Sequence, residues 1–350
     1  MKKIILGLLV LTSIVANSQN KSEKQTKMDQ QTANVKPVLC VVTSNNVKGK
    51  TGIQTGFWLS ELTHALEQLD KAGLKYELAS IKGGEAPIDN MSMNLKDTVN
   101  AHYWNNDKFR AALKNTKNID QVDASKYSAV FYAGGHGTMW DFADSKGVQK
   151  VTSKIYETGG IVSAVCHGPA ALVNVKLNDG SYLVAGKKVA AFTNGEEEES
   201  QSTKIVPYLL ETALINHGAL HQVAPNWTKN VVVDGRLITG QNPASAAGVG
   251  EAVAKALTAG NVSSKKRIIL NITCDLNKVP NIDELLPKEF ARGVELQEQG
   301  IMEHLFVKAG RMGAVLVFNN VDEAQARQIA TTFPLYKYFQ VEYITVDKFY

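Results

Sequence analysis

A chain of 350 residues is longer than one typical domain and is expected to fold as two. Apolar residues make up 44% of it and the formal net charge is only +4, so real cores can form. No basic stripe interleaved with aromatics is present, which argues against a nucleic-acid partner.

The opening "MKKIILGLLVLTSIVANSQN" places Lys2 and Lys3 before a run of about 13 mostly apolar residues, the pattern of a secretory signal. Ala16 and Ser18 are small residues suited to cleavage after residue 18, so the mature protein is expected to be exported, periplasmic or secreted. The run falls short of the ~20 apolar residues of a spanning helix, and no stable membrane insertion is expected. Residues 19–36 are polar, aperiodic and free of aromatics, which reads as a flexible linker.

From residue 37 to 259, strand-like and helical runs alternate. "VLCVVT" is a first strand, and "FWLSELTHALEQLDKAG" follows with Trp58, Leu62, Ala65, Leu66 and Leu69 at helical spacing. "LKYELAS" is a second strand. Residues 81–127 form a long polar insert with a short helix predicted at "DKFRAALKN". Then come strand "SAVFYAGG", helix "VQKVTSKIYETGG", strand "IVSAVC", strand "KKVAAFT" and helix "TKIVPYLLETALINHG". "NVVVDGRLITG" carries Asp234-Gly235 between two β-type runs, a hairpin signal, and "ASAAGVGEAVAKALTAG" closes the segment as a helix. This alternation predicts an α/β fold, a mainly parallel sheet with helices on both faces.

Residues 260–266 read as a linker. Beyond it, 267–350 run strand ("RIILNITCD"), helix ("IDELLPKEFARGVELQEQG"), strand ("IMEHLFVKAG"), strand ("GAVLVFNNV"), helix ("DEAQARQIATTF") and strand ("FQVEYITV"). That βαββαβ order predicts a smaller α+β, ferredoxin-like domain.

Three cysteines cannot all pair, so at least one thiol stays free. Cys40 and Cys274 sit in strand-like apolar runs, where a cysteine acts as a small hydrophobe. Cys166 differs. It ends the strand "IVSAVC", and "HGPAALV" is expected to open a helix at once, with Pro169 suited to the first turn. Such a sharp turn should lift the thiol from the core, where backbone N–H groups and the helix dipole favour thiolate. His167 stands next to it. "AGGHGTMWDF" follows another strand and brings Gly134, Gly135 and Gly137, which let backbone N–H groups approach an oxyanion, with His136 lining the pocket or capping the turn.

An orienting acid has two candidate places. "AFTNGEEEES" offers Glu196 to Glu199, a run that usually forms a solvated loop. Glu61 lies among Phe57, Trp58, Leu59 and Leu62, where desolvation would raise its pKa, although local sequence alone slightly favours a solvent-facing helical glutamate. The scattered histidines support no metal site: His217 and His221 in "HGALH" are i, i+4, but Gly218 spoils a shared helical face, and a helix C-terminus is expected there.

Together, "TGFWLSEL", "FYAGGHGTMWDF", "GGIVSAVCHGPAAL", "AAFTNGEE" and "VVVDGRLITGQNPASA" resemble the ThiJ/PfpI family of the class I glutamine amidotransferase-like superfamily. The particular resemblance is to its heat-shock chaperone and glyoxalase III branch. The resemblance implies a flavodoxin-like sandwich with a Cys-His-acid set at the sheet's carboxyl edge. It places the nucleophile at Cys166, its partner at His167, the orienting acid at Glu197 with Glu196 as the alternative, and a pocket glutamate at Glu61. Gly135 and the His167 N–H would form the oxyanion site. It implies a lyase that converts methylglyoxal to lactate with no glutathione, cofactor or metal, acting on a small aldehyde or dicarbonyl. A peptidase or amidase and a holdase-type stress chaperone are the alternatives.

The tail is similar to muconolactone isomerase-like, dimeric α/β-barrel domains, mainly in "GIMEHLFVKAGRMGAVLVFNN". That similarity implies a homodimer formed through the C-terminal domain. Glu303, His304 and Arg311 are candidates there for a small-molecule site, though a lone polar residue on a strand is more often structural.

Overall fold

A computed structural model describes residues 35–260, 267–319 and 321–346. The expected signal, most of the first linker and nearly all of the second lie outside these residues. The described chain falls into two compact units that divide between Ala259 and Gly260.

The first unit is built in chain order from β1 (Val38–Val42), α1 (Leu59–Lys71), β2 (Tyr76–Ser80), α2 (Thr98–Trp104), α3 (Asp107–Lys114), β3 (Lys117–Asn118) and β4 (Ala129–Tyr132). These are followed by α4 (Thr138–Asp141), α5 (Lys146–Glu157), β5 (Ile161–Val165), β6 (Lys188–Val189), α6 (Asn194–Glu199), α7 (Leu210–Asn216), β7 (Leu220–His221), β8 (Val231–Asp234), β9 (Leu237–Gly240) and α8 (Ala246–Gly260).

The main sheet runs β3-β2-β1-β4-β5-β9-β8, parallel except for the β8–β9 hairpin at its edge. β1 is buried along its whole length, and its side chains alternate between two cores. Leu39 and Val41 join one with Val148, Val151 and Ile155 of α5. Val38, Cys40 and Val42 join the other with Leu62 and Leu66 of α1 and Val249 and Val253 of α8. Helices therefore cover both faces, as a doubly buried parallel sheet requires. The chain builds outward from β1 in one direction and then from β4 in the other. That reversal opens a crevice at the carboxyl ends of the central strands, where ligands of such sheets collect.

Four expectations change. "HGPAALV" forms only a 3-10 turn, Gly168–Leu172, so no α-helix dipole aims at Cys166. The predicted helix over 203–218 shortens to α7, because Pro207 cannot donate within a helix. "KKVAAFT" pairs over only two residues, with β7 in a separate small sheet. The insert holds α2 and β3 besides α3. Asp97 accepts from the Val99 and Asn100 N–H groups, an N-cap that marks α2 in the sequence.

The second unit comprises β10 (Arg267–Thr273), α9 (Ile282–Glu298), β11 (Met302–Val307), β12 (Gly313–Phe318), α10 (Glu323–Ala330) and β13 (Gln340–Val346). Its antiparallel sheet has the order β11-β12-β10-β13. Ile268, Leu270, Ile272, Leu316 and Phe318 are buried in one core with Leu296 of α9 and Ala326 and Ala330 of α10. This is the ferredoxin-like arrangement expected from the βαββαβ order.

Candidate active site

Cys166 follows β5 directly and holds φ 61°, a left-handed conformation that a non-glycine residue adopts at about 1–3 kcal/mol. Its surroundings fix that conformation. The Cys166 N–H donates to Gly240 O at 2.9 Å, and its carbonyl accepts from the Phe192 N–H at 2.9 Å. One residue on, the His167 carbonyl accepts from Thr138 Oγ1 at 3.0 Å. Gly168 packs so closely on β4 that a Cβ there would stand 2.2 Å from Tyr132 O.

His167 is buried, and its Nδ1 lies 3.6 Å from Cys166 Sγ. Its Nε2 lies 2.8 Å from Glu197 Oε2. The other oxygen, Oε1, is 3.0 Å from Nε2 of His136, whose ring centre is 4.4 Å from that of His167. An ionised carboxylate only accepts, so both Nε2 atoms carry hydrogen and a neutral His167 leaves Nδ1 bare toward the thiol. Burial would raise the Glu197 pKa, but the two imidazoles outweigh it and hold the carboxyl well below its usual range. Burial, with His167 alongside, pushes His136 down to about 4.

The glutamate run resolves into two roles. It forms α6 rather than a solvated loop, and both Glu196 and Glu197 are buried. Glu196 closes a capping box with Thr193 and accepts from the Trp227 N–H at 2.8 Å and Asn242 Nδ2 at 2.8 Å. It makes no hydrogen bond to His167, so of the two candidates Glu197 is the one placed on that histidine.

Glu61 faces inward from the first turn of α1 and is fully buried. Its Oε2 accepts from the Gly134 N–H at 2.7 Å. Oε1 has no hydrogen-bond partner among the described residues, and the Cys166 thiol lies beside the carboxyl. Burial raises the Glu61 pKa to about 8 against the lowering effect of Cys166 and the Gly134 N–H. For Cys166, burial and the adjacent Glu61 carboxyl push the thiol well above its ordinary value, and the His167 N–H acts in the opposite sense. The exposed, dipole-stabilised thiolate expected from the sequence is thus corrected to a buried thiol that shares its pocket with a carboxyl.

The glycines have separate duties. At Gly134 a Cβ would meet Glu61 Oε2 at 2.6 Å, Val165 O at 2.6 Å and His167 N at 2.7 Å. Gly135 adopts φ +100° with Gly56 O 2.5 Å from a Cβ position, and its N–H has no partner among the described residues. The Gly137 N–H already donates to Gly56 O at 3.3 Å, so it does not serve an oxyanion pocket. His136 neither merely lines the pocket nor caps a turn: its side chain is bonded to Glu197.

The other candidates stand apart. His217 caps α7, bonds Val173 O and stacks on Tyr182, while His221 lies on β7. Glu303 is paired with Arg267, His304 is exposed beside Phe306, and Arg311 lies in a 3-10 turn. Neither Glu303 nor His304 lines the apolar pocket that Cys274, Glu289, Phe290 and Leu305 help to form in this unit.

This sheet, with a cysteine turn at its carboxyl edge, is that of the DJ-1/PfpI family, whose model matches residues 52–256, more than half of the chain. The chain belongs to that family. A second model, muconolactone delta-isomerase, matches residues 273–349. Glyoxalase 3 of Candida albicans is 35% identical over 233 residues, covering 63% of this chain and 97% of that protein. The crystal structure of glyoxalase III from Candida albicans superimposes with a TM-score of 0.57 at 32% identity, over 63% of this chain and 96% of that one. Rapid Encystment Protein 24 KDa of Francisella tularensis gives a TM-score of 0.62 at 38% identity, over 64% of this chain and 99% of that one.

Proposed function

We propose that this chain is a glutathione-independent glyoxalase that converts methylglyoxal, or a closely related 2-oxoaldehyde, to the 2-hydroxy acid. The observation that carries this reading is Cys166, held in a strained turn between a raised-pKa carboxyl and a histidine fixed by Glu197. Relatives named as glyoxalases over nearly their whole length support it.

In this reading the thiol proton of Cys166 passes to His167 Nδ1 and sulfur adds to the aldehyde carbon. The new hydroxyl oxygen faces the free N–H of Gly135 and that of His167. Glu61, as carboxylate, takes the carbon-bound proton of the hemithioacetal to give an enediolate, then returns a proton to the neighbouring carbon. The product is a thioester. Water hydrolyses it, releasing lactate and restoring the thiol. The sum is one dicarbonyl plus one water giving one hydroxy acid, with hydrogen moving only as protons.

The test is turnover in deuterium oxide. Lactate should carry solvent deuterium at C2 in part or in full, and both Cys166→Ser and Glu61→Gln should stop its formation. Consumption of simple amides or peptides instead of methylglyoxal would favour the amidase alternative. Suppression of client aggregation that survives Cys166→Ala, with no turnover in the wild type, would favour the chaperone.

We further propose export through residues 1–18 and pairing of two copies through the C-terminal sheet. Strand pairing sets His304, Phe306, Val315, Val317, Ile269 and Ile344 on the face away from its helices. Phe306 is 57% exposed there, an unusual setting for a phenylalanine unless it is covered.

A further inference from the structure

His136 takes no part in the reaction just described, yet its ring is fixed on the same carboxylate as that of His167. The three residues come from different elements, the turn after β4, the turn after β5 and α6, and were too scattered in sequence to suggest a shared ligand. In the fold, one ligand atom from each lies within 4.8 Å of the other two. Two imidazole nitrogens already stand at 2.8 and 3.0 Å from the two oxygens of one carboxylate. Donors about 2.0–2.2 Å from a tetrahedral zinc ion stand roughly 3.4 Å apart, so small side-chain shifts bring these atoms, all within 4.8 Å of one another, into place.

We propose that His136, His167 and Glu197 form an inhibitory Zn²⁺ site. Two neutral nitrogens and one carboxylate oxygen are a donor set that zinc accepts, and three protein ligands leave one position for water. His167 and Glu197 are buried, while His136 is partly exposed and gives the ion its way in. Cys166 Sγ lies on the Nδ1 side of His167, away from the bound nitrogen, and is not a ligand.

Binding at Nε2 needs no net release of protons, because each neutral ring moves its single proton from Nε2 to Nδ1. That shift is what inhibits. The His167 Nδ1, bare in the resting site, then carries hydrogen and no longer accepts the thiol proton. The ion thus turns the triad off reversibly without touching the sulfur.

Equilibrium dialysis of the tag-free, full-length protein against Zn²⁺, with metal and protein both quantified, tests this directly and does not depend on the identity of the substrate. One ion per chain is expected. Cys166→Ser should bind within threefold of wild type, and His136→Ala and Glu197→Gln at least tenfold more weakly. X-ray absorption at the zinc edge should show nitrogen and oxygen neighbours with no sulfur shell near the ~2.3 Å of a zinc thiolate, which decides the matter even if a variant fails to fold. Absence of saturable binding, wild-type affinity in a folded His136→Ala, or a sulfur shell would each overturn the proposal.

Discussion

Glu61 and Cys166 lie buried side by side: the carboxyl disfavours charge on the thiol, while the neutral thiol favours charge on the carboxyl. Burial sets the Glu61 carboxyl at about 8 and, together with that carboxyl, lifts the thiol above its ordinary range. The carboxyl therefore loses its proton before the thiol does.

A pH dependence of stability follows. With a pKa raised from 4.5 to about 8, folded Glu61 keeps a proton that the unfolded chain releases between those values. The folded state then binds more protons across that window, so stability falls as pH rises from about 4.5 to about 8. Thermal unfolding followed against pH should show this slope in the wild type and a flatter one in Glu61→Gln.

Thiol labelling gives an independent reading of the pair. Cys166 is 3% exposed, so iodoacetamide should label it more slowly than free cysteine at neutral pH and rapidly after denaturation. Above pH 8 Glu61 is charged, and Glu61→Gln removes that opposing charge. Labelling of the variant should then be several-fold faster than that of wild type, as mass spectrometry of the Cys166 peptide would report; equal rates would separate the two groups electrostatically.

The neighbouring glutamates should fail in different ways. Glu197→Gln keeps the shape but offers an amide where two imidazoles need an acceptor, and turnover should drop by roughly 100- to 10,000-fold with little loss of stability. Glu196→Ala leaves the Trp227 N–H and the Asn242 and Gln241 amides without their acceptor. It should lower unfolding free energy by about 3 kcal/mol in urea titration.

Gly134→Ala should be a damaging one-carbon change within the site. Its Cβ would overlap Glu61 Oε2, a β5 carbonyl and the His167 N–H at once, and two of these three are backbone atoms that cannot rotate away. Destabilisation of about 3 kcal/mol is expected with loss of turnover, by urea unfolding and lactate assay.

Phe306→Glu addresses the second unit. If two copies pair through the exposed sheet face, a charge at its apolar centre should convert dimer to monomer in sedimentation velocity, with turnover per chain unchanged.

Local sequence determined much of this protein. Strand and helix alternation is a short-range signal, so the parallel sheet, the Asp234-Gly235 hairpin and the βαββαβ tail could be read residue by residue. The Cys166-His167-Gly168 turn and the Gly134-Gly135 turn were equally legible, because each is contiguous. Only the tertiary structure decided what meets across the sheet. Strand order brought the first turn of α1 against the turns that follow β4 and β5, which turned Glu61 inward against a local sequence that slightly favoured solvent. Helix phase within α6 separated Glu197 from Glu196, a distinction four consecutive glutamates cannot express. Neither the burial of the thiol nor the convergence of His136 and His167 on one carboxylate has a local signature, because both depend on side chains that approach from segments far apart along the chain.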